Sequence, residues 1–158
     1  MNKLSLLTIL FASTLMLNCS IDDENSTNPV SSFEIDPDNF KGVIQNGTIT
    51  LNPSVNYKLT GALVVNEGAT LNIPAGTTIT AAAGSGTTAY VGVERGATIN
   101  ISGTASNPVV MTAETKSPGA WGGLAIAGYG ITNAGVDVTS EVGDLTYGGV
   151  DNTDSSGS

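Results

Sequence analysis

A short segment recurs along this chain and limits the folds it can adopt. Residues 68–73 read GATLNI and residues 96–101 read GATINI, an offset of 28 residues (96 − 68). Residues 47–51, GTITL, align with residues 69–73 at an offset of 22 residues (69 − 47). Repeats spaced by roughly 20–50 residues are typical of stacked architectures, in which each unit buries its apolar side only against its neighbours. The sequence therefore predicts a stack of similar units.

Within each copy, apolar and polar residues alternate. Ala69, Leu71 and Ile73 fall on one side of the segment, whereas Thr70 and Asn72 fall on the other, which is the period of a half-buried β-strand. No stretch after residue 20 has the i, i+3, i+4, i+7 spacing of an amphipathic helix. We expect an all-β chain in which glycine-containing corners, such as 67–68, 75–76 and 95–96, separate the repeats from further strands at 58–65, 77–81, 90–93, 109–112 and 124–127.

A repeat at this spacing favours a β-solenoid over an antiparallel sandwich, because a sandwich does not need similar segments to reappear once per coil. Stacking in register would place side chains in columns, two outward and one inward: Thr48, Thr70 and Thr98; Thr50, Asn72 and Asn100; and, inside, Ile49, Leu71 and Ile99. Glu67 would then lie over Arg95 at the outer corner. We expect an exposed ion pair between them; a ligand-binding corner is the alternative.

The first residues form a separate device. Residues 4–17 are an apolar run that follows Lys3 and precedes Cys19, the one cysteine of the chain. A run of this length reads as a signal peptide, because a membrane span needs about 20 residues. We predict a signal peptide over 1–18, in disordered or helical form, and an acidic, polar, flexible tether over 19–32. An N-terminal cap and first coil would occupy 33–56, and further β-helix coils 57–158.

The segment LMLNC (15–19) resembles a bacterial lipoprotein signal, although Asn18 stands where a small residue is usual. The resemblance implies that Cys19 is the lipidated first residue of the mature protein. Residues 20–24, SIDDE, are similar to the acidic segment that directs many Bacteroidetes lipoproteins to the outer face of the outer membrane. The alternative is that these acids only keep the tether solvated.

Charge argues against nucleic acid as a partner. Without residues 1–18 the chain keeps four basic residues (5 − 1) against 14 acidic ones, a net charge of −10 (4 − 14). Phosphate binding needs clustered Lys and Arg, whereas these four are scattered.

Residue types also restrict catalysis. The chain has no histidine, so serine–histidine and cysteine–histidine nucleophile systems are excluded, and the usual zinc ligand sets are missing. Paired carboxylates can hydrolyse glycosides, but no motif specifies a pair. We therefore predict no catalytic residue and no cofactor, and we interpret the candidate acids as solvated surface or turn residues: Glu94, Glu114, Asp137, Glu141 and Asp144.

Two weaker ligand-binding candidates remain. Residues 151–157, DNTDSSG, place oxygen-bearing side chains as a calcium loop would, with Asp151 and Asp154 as ligands, but a distal bidentate glutamate is missing. A Ser/Gly/Asp turn is the alternative and the favoured interpretation. Trp121 lies between small residues and has a ring suited to stacking on a sugar, although packing along the flank of the solenoid is favoured.

Several segments occur in an order that resembles one known family: YKLTG (57–61), GATL (68–71), PAGT (74–77), ERGA (94–97), GTASNPVV (103–110) and WGGL (121–124). They resemble Bacteroidetes cell-surface proteins with a right-handed parallel β-helix. The resemblance implies that fold, with activity largely unassigned and adhesion or glycan contact as the expected roles. It also implies further coils after Ser158, so we expect a C-terminally truncated member whose last coil is open. A structured cap over 137–158 would contradict this expectation.

Two function classes follow. The first is a lipid-anchored, non-catalytic adhesin or scaffold that contacts an extracellular polymer, such as a glycan, or a surface protein. The second is a truncated carbohydrate-active β-helix enzyme, a lyase or glycosidase, whose catalytic residues lie beyond Ser158. The absence of catalytic side chains favours the first class.

Overall fold

The computed structural model describes residues 32–143 and 145–149. Within them a 3₁₀-helix at Pro37–Asn39 is the only helix, and no helix is long and apolar enough to cross a lipid bilayer. The strands are β1 (Phe40–Ile44), β2 (Thr48–Thr50), β3 (Asn56–Val65), β4 (Thr70–Pro74), β5 (Thr78–Ala81), β6 (Gly86–Val93), β7 (Thr98–Ser102), β8 (Val110–Ala113), β9 (Trp121–Ile126), β10 (Val138–Thr139) and β11 (Thr146–Tyr147).

The strands pair as successive turns of a coil. β2, β4 and β7 form one parallel sheet, while a second sheet has the order β8-β5-β3-β6-β9, with β1 also paired to β3. The long strand β3 pairs through its first half with β5 and through its second half with β6. Each turn therefore has three sides: the β2–β4–β7 side, the β3–β5–β8 side and the β3–β6–β9 side. The all-β parallel β-helix predicted from the repeat is confirmed.

The register of the repeated segments is the one predicted. Thr48 lies beside Thr70 and Thr70 beside Thr98, and the neighbouring positions follow in step. The inward column is therefore Ile49, Leu71 and Ile99, and the second outward column is Thr50, Asn72 and Asn100. All of these pairings are parallel. The repeats are stacked turns of one coil and not neighbouring strands of a hairpin.

Alternation places the apolar half of each strand inside the coil. Leu71 and Ile73 are fully buried, and Ala69 is 1% exposed. These side chains belong to one core cluster that includes Phe40, Leu59, Leu63, Val65, Ile79, Val91 and Val93. Because the apolar side chains of each turn meet those of the next, the stack buries a continuous core.

Corner glycines let the chain turn between sides. Gly76 has φ +85°, which L side chains rarely adopt, and a Cβ built on it would lie 2.8 Å from Oδ1 of Asn107. Thr77, the next residue, is fully buried and donates its hydroxyl hydrogen to the carbonyl oxygen of Pro74 at 2.7 Å. The corner predicted at 75–76 is thus closed by a glycine and a buried threonine.

The five additional strands are also present, each within three residues of the predicted bounds, as β3, β5, β6, β8 and β9. The pair β10 and β11 was not predicted. These two strands are antiparallel, with Val138 opposite Tyr147 and Thr139 opposite Thr146. They belong to the segment that we name the flap, residues 128–143 and 145–149, which packs on the outer surface of the β3–β6–β9 side and not inside the coil.

The proposed cap and tether have different standings. Phe40 is fully buried, and its ring centroid lies 6.4 Å from that of Phe33 and 4.9 Å from that of Tyr57. The domain boundaries at 18, 32 and 56 stay predictions. The signal peptide, Cys19 and nearly all of the tether lie outside the described residues, as do Asp144, Asp151 and Asp154.

Candidate functional site

The β2–β4–β7 side carries two columns of polar side chains. Because the strands alternate, the threonine and asparagine positions point outward while their neighbours enter the core. Thr48, Thr50, Thr98 and Asn100 are exposed. Adjacent turns lie about 4.8 Å apart, and positions i and i+2 of one strand lie about 6.6 Å apart. The side therefore presents hydroxyl and amide groups on a regular two-dimensional grid.

Hydrogen bonds between turns fix the orientation of the second column. Asn72 donates from Nδ2 to Oγ1 of Thr50 at 3.0 Å, and Asn100 donates from Nδ2 to Oδ1 of Asn72 at 2.8 Å. Each amide has two N–H donors and two acceptor lone pairs, so each ladder bond uses only part of this capacity. The remaining donors and acceptors are held in known directions and can bind hydroxyl groups of a ligand.

A corner groove lies on another part of the surface. Its volume is roughly 300 Å³, and three pairs of residues line it: Asn66 and Glu67, Glu94 and Arg95, and Tyr129 and Thr146. The first two pairs come from the same corner in successive turns, before Gly68 and Gly96. The third pair comes from the flap. The repeat thus brings two carboxylates to one groove.

Arg95 is bonded to the flap and not to Glu67. Its Nη1 donates to Oδ1 of Asp137 and to the carbonyl oxygen of Gly148, both at 2.6 Å, and its guanidinium lies 5.0 Å from the ring centroid of Tyr129. The predicted Glu67–Arg95 ion pair is therefore wrong, although both residues line the groove. The flap brings Asp137 to Arg95, and the side chain of Glu67 instead lies where a Cβ on Gly96 would be 2.9 Å from its Cγ.

The remaining candidate acids are divided among different surroundings. Glu94 accepts a hydrogen bond from the backbone N–H of Thr146 at 3.3 Å. Glu114 lies 2.9 Å from Nζ of Lys58, and the hydrogen bond from Lys58, followed by that from the Ala83 N–H, lowers the pKa of Glu114. A carboxylate with a lowered pKa stays ionised and is poorly suited to act as a general acid.

Glu141 lines a separate cavity of roughly 420 Å³ with Tyr90, Val142 and Gly143 of the described residues. The structure thus brings Glu94 and Asp137 to opposite sides of Arg95, with Glu67 nearby, while Glu114 and Glu141 lie in other surroundings. Within residues 32–143 and 145–149, no group of three or more acidic, histidine or cysteine side chains is arranged to hold a metal ion.

Trp121 begins β9 opposite Gly86 and is half-buried against the main core cluster. This packing agrees with the structural interpretation of the residue; its contact with a sugar stays a prediction. Calcium binding by Asp151 and Asp154 and lipidation of Cys19 also stay predictions, because these residues lie outside the described part.

Sequence reasoning did not identify Tyr129 and Thr146 as groove residues, because they have no counterpart in the repeat. A signal for the other half of the groove was available. NEG at 66–68 and ERG at 94–96 occupy the same place in successive turns, so a polar, charged corner was readable before the fold was known.

Comparison with known proteins gives one positive finding. The family model described as a pectate-lyase-like β-helix domain matches residues 42–158, well over half of the chain. No significant match is found among curated proteins or among solved structures. The matched region includes the three-sided parallel coil and its corner groove. The chain therefore belongs to the family of pectate-lyase-like β-helix domains.

Proposed function

We propose that this chain is a surface-exposed, non-catalytic binding module, an adhesin or scaffold, that holds a neutral extracellular polysaccharide along the β2–β4–β7 side. The observation that carries the proposal is the register of Thr48, Thr70 and Thr98 beside the hydrogen-bonded ladder of Asn72 and Asn100. A polymer repeats its hydroxyl groups at regular intervals, and this grid repeats donors and acceptors at regular intervals.

Charge supports a neutral ligand. The formal net charge is −9 for the whole chain, so a polyanion is repelled at long range, and nucleic acid is not a suitable partner. Hydrogen bonds from amides and hydroxyls need no opposite charge on the ligand.

The proposal includes attachment to the outer membrane of a Bacteroidetes cell through lipid on Cys19, with the coil facing the exterior. The apolar run at 4–17 before the single cysteine supports this. Labelling of cells with a fatty-acid analogue tests it: label on the wild-type chain and none on Cys19→Ala is the expected result. Protease added to intact cells should then degrade the coil, and full protection would contradict exposure on the outer face.

Binding can be tested with the purified protein on an array of neutral and acidic glycans and by co-sedimentation with insoluble polysaccharides. The Thr48→Ala/Thr50→Ala double variant removes two grid hydroxyls. The matched control is Thr78→Ala/Thr80→Ala, because these residues alternate in the same way on β5, on a different side. We expect the first variant to lose affinity and the control to keep it. Equal binding by both variants would refute the assignment to the β2–β4–β7 side.

The second candidate function is a carbohydrate-active lyase or glycosidase. Two observations favour it: the pectate-lyase-like family, and the two carboxylates, Glu67 and Glu94, beside Arg95 in one groove. Family membership alone does not separate a binding module from an enzyme. Release of soluble oligosaccharides from a bound polymer would establish the enzyme, whereas binding without release supports the module.

A further inference from the structure

The flap covers an apolar strip on the outside of the coil. Leu145 is 2% exposed and Tyr90 8% exposed, although both lie outside the coil interior, and Ala62, Val64 and Ala125 pack against them. These three outward residues come from β3 and β9, which flank β6. Apolar residues on the outer surface of a solenoid are shielded from water here because the flap lies over them.

The fit between Leu145 and the coil requires a glycine beneath it. A Cβ built on Gly92 would lie 2.9 Å from Cδ2 of Leu145 and 3.0 Å from Cε2 of Tyr90. Real Cβ atoms essentially never approach so closely, so any larger residue at position 92 would displace the flap. The docked position is therefore specified by both surfaces.

The flap has little regular structure of its own. β10 and β11 pair over two residues each. The N–H of Gly148 donates to the carbonyl of Gly128 at 2.9 Å, and the N–H of Ser140 donates to that of Leu145 at 2.8 Å. An isolated two-stranded ribbon is marginally stable at best in water. Its order therefore depends on contacts with the coil.

Arg95 supplies the main polar contact between coil and flap. Its side chain, 20% exposed, reaches the ring of Tyr129 at the start of the flap, the carboxylate of Asp137 before β10 and the carbonyl of Gly148 after β11. Asp137 has φ +56°, in the left-handed region that a non-glycine residue adopts at a cost. The hydrogen bond to Arg95 thus holds a backbone that would otherwise relax.

We propose that the flap is a latched cover with Arg95 as its latch. In the closed form it shields the apolar strip and contributes Tyr129 and Thr146 to the corner groove. Opening exposes the strip and removes one third of the residues that line the groove, so a ligand that fills the groove favours the closed flap and a closed flap favours the ligand. The proposal is independent of polymer binding on the β2–β4–β7 side.

Hydrogen exchange of the purified full chain tests the latch. Asp137→Ala acts from the flap, so the coil keeps all of its own contacts, whereas Arg95→Gln acts from the coil. Loss of one charge-assisted contact should speed exchange of the Ser140 and Gly148 amides by about 10- to 100-fold. Lys58→Gln is the control, because it breaks an ion pair on the β3–β5–β8 side, and it should leave these amides unchanged.

Two further measurements separate a latch from general support of the coil. The amides of Leu51 and Thr98, which bond between turns, should keep their wild-type exchange rates in Asp137→Ala. Asp137→Asn should restore much of the protection, because asparagine tolerates positive φ and still accepts a hydrogen bond. Binding of a hydrophobic dye should rise in Asp137→Ala. Unchanged flap amides, or equal acceleration of flap and coil amides, would overturn the proposal.

Discussion

Replacement of Leu71 by alanine tests the stacked core directly. Leu71 is fully buried and lies between Ile49 in the preceding turn and Ile99 in the following one. Leu→Ala substitutions at buried sites lower the free energy of unfolding by about 2–5 kcal/mol, with larger values where the surroundings cannot collapse. Because side chains of two turns enclose Leu71, we expect a loss in the upper half, about 3–5 kcal/mol.

The same substitution at the edge of the described core should cost less. Ile99 is half-buried and packs against the core from one neighbouring turn. Partial burial retains only part of the roughly 1.5–3 kcal/mol for a fully buried aliphatic side chain, so we expect about 1–2 kcal/mol for Ile99→Ala. A gradient from Leu71 to Ile99 is the signature of stacking in the observed order.

Urea denaturation followed by far-UV circular dichroism measures both variants. With an m-value of about 1–3 kcal/mol/M, the midpoint should fall by about 1–3 M for Leu71→Ala. Thr50→Ala is the matched control, because its side chain is exposed on the adjacent strand, and surface changes usually stay within about 0.5 kcal/mol. A Leu71→Ala midpoint equal to that of Thr50→Ala, or a larger loss for Ile99→Ala than for Leu71→Ala, would refute the stacking argument.

Two further predictions concern single polar contacts. Thr77→Val removes the hydroxyl that donates to Pro74 and leaves that carbonyl without this donor in a buried corner, so the free energy of unfolding should fall by about 1–3 kcal/mol, measured by urea titration; no loss would contradict the role of this bond. Lys58→Ala should raise the pKa of Glu114 toward its ordinary value, measured by NMR titration of the carboxyl carbon, and an unchanged pKa would contradict the contact. Because the folded-state pKa of Glu114 is lowered, the contribution of this pair to stability is present above the ordinary pKa of glutamate and is lost as pH falls through the lowered value.

The coil was predictable because its information is local and repeated. Alternation over 69–73 determines which side chains face inward, and the second copy at 97–101 determines which residues become neighbours. A one-residue slip would turn every apolar side chain outward, so the register is strongly specified. Strand bounds were less well determined, as β6 shows: it begins at Gly86 and not at the predicted residue 90.

The flap was not predictable in the same way. Its strands are two residues long, and its decisive contacts join distant positions, such as Arg95 with Asp137, 42 residues apart. Nothing in the local pattern around 137 indicates which cation it meets. The expected partner of Arg95, Glu67, was chosen from the stacking of corners alone, and an exposed pair of that kind contributes little that would hold the two side chains together.

The lengths of the turns show where the coil accommodates additional residues. Asn56 to Thr78 spans 22 residues (78 − 56) and Leu63 to Val91 spans 28 (91 − 63), so six residues enter between Thr78 and Val91. On the polar side, β2, β4 and β7 stay paired residue by residue without a register shift, whereas the β1–β3 and β6–β9 pairings contain shifts. Insertions and irregular pairing thus fall on the other sides and at the corners. A surface that contacts a repetitive polymer must keep its spacing from turn to turn, and the β2–β4–β7 side is the one where the spacing is kept.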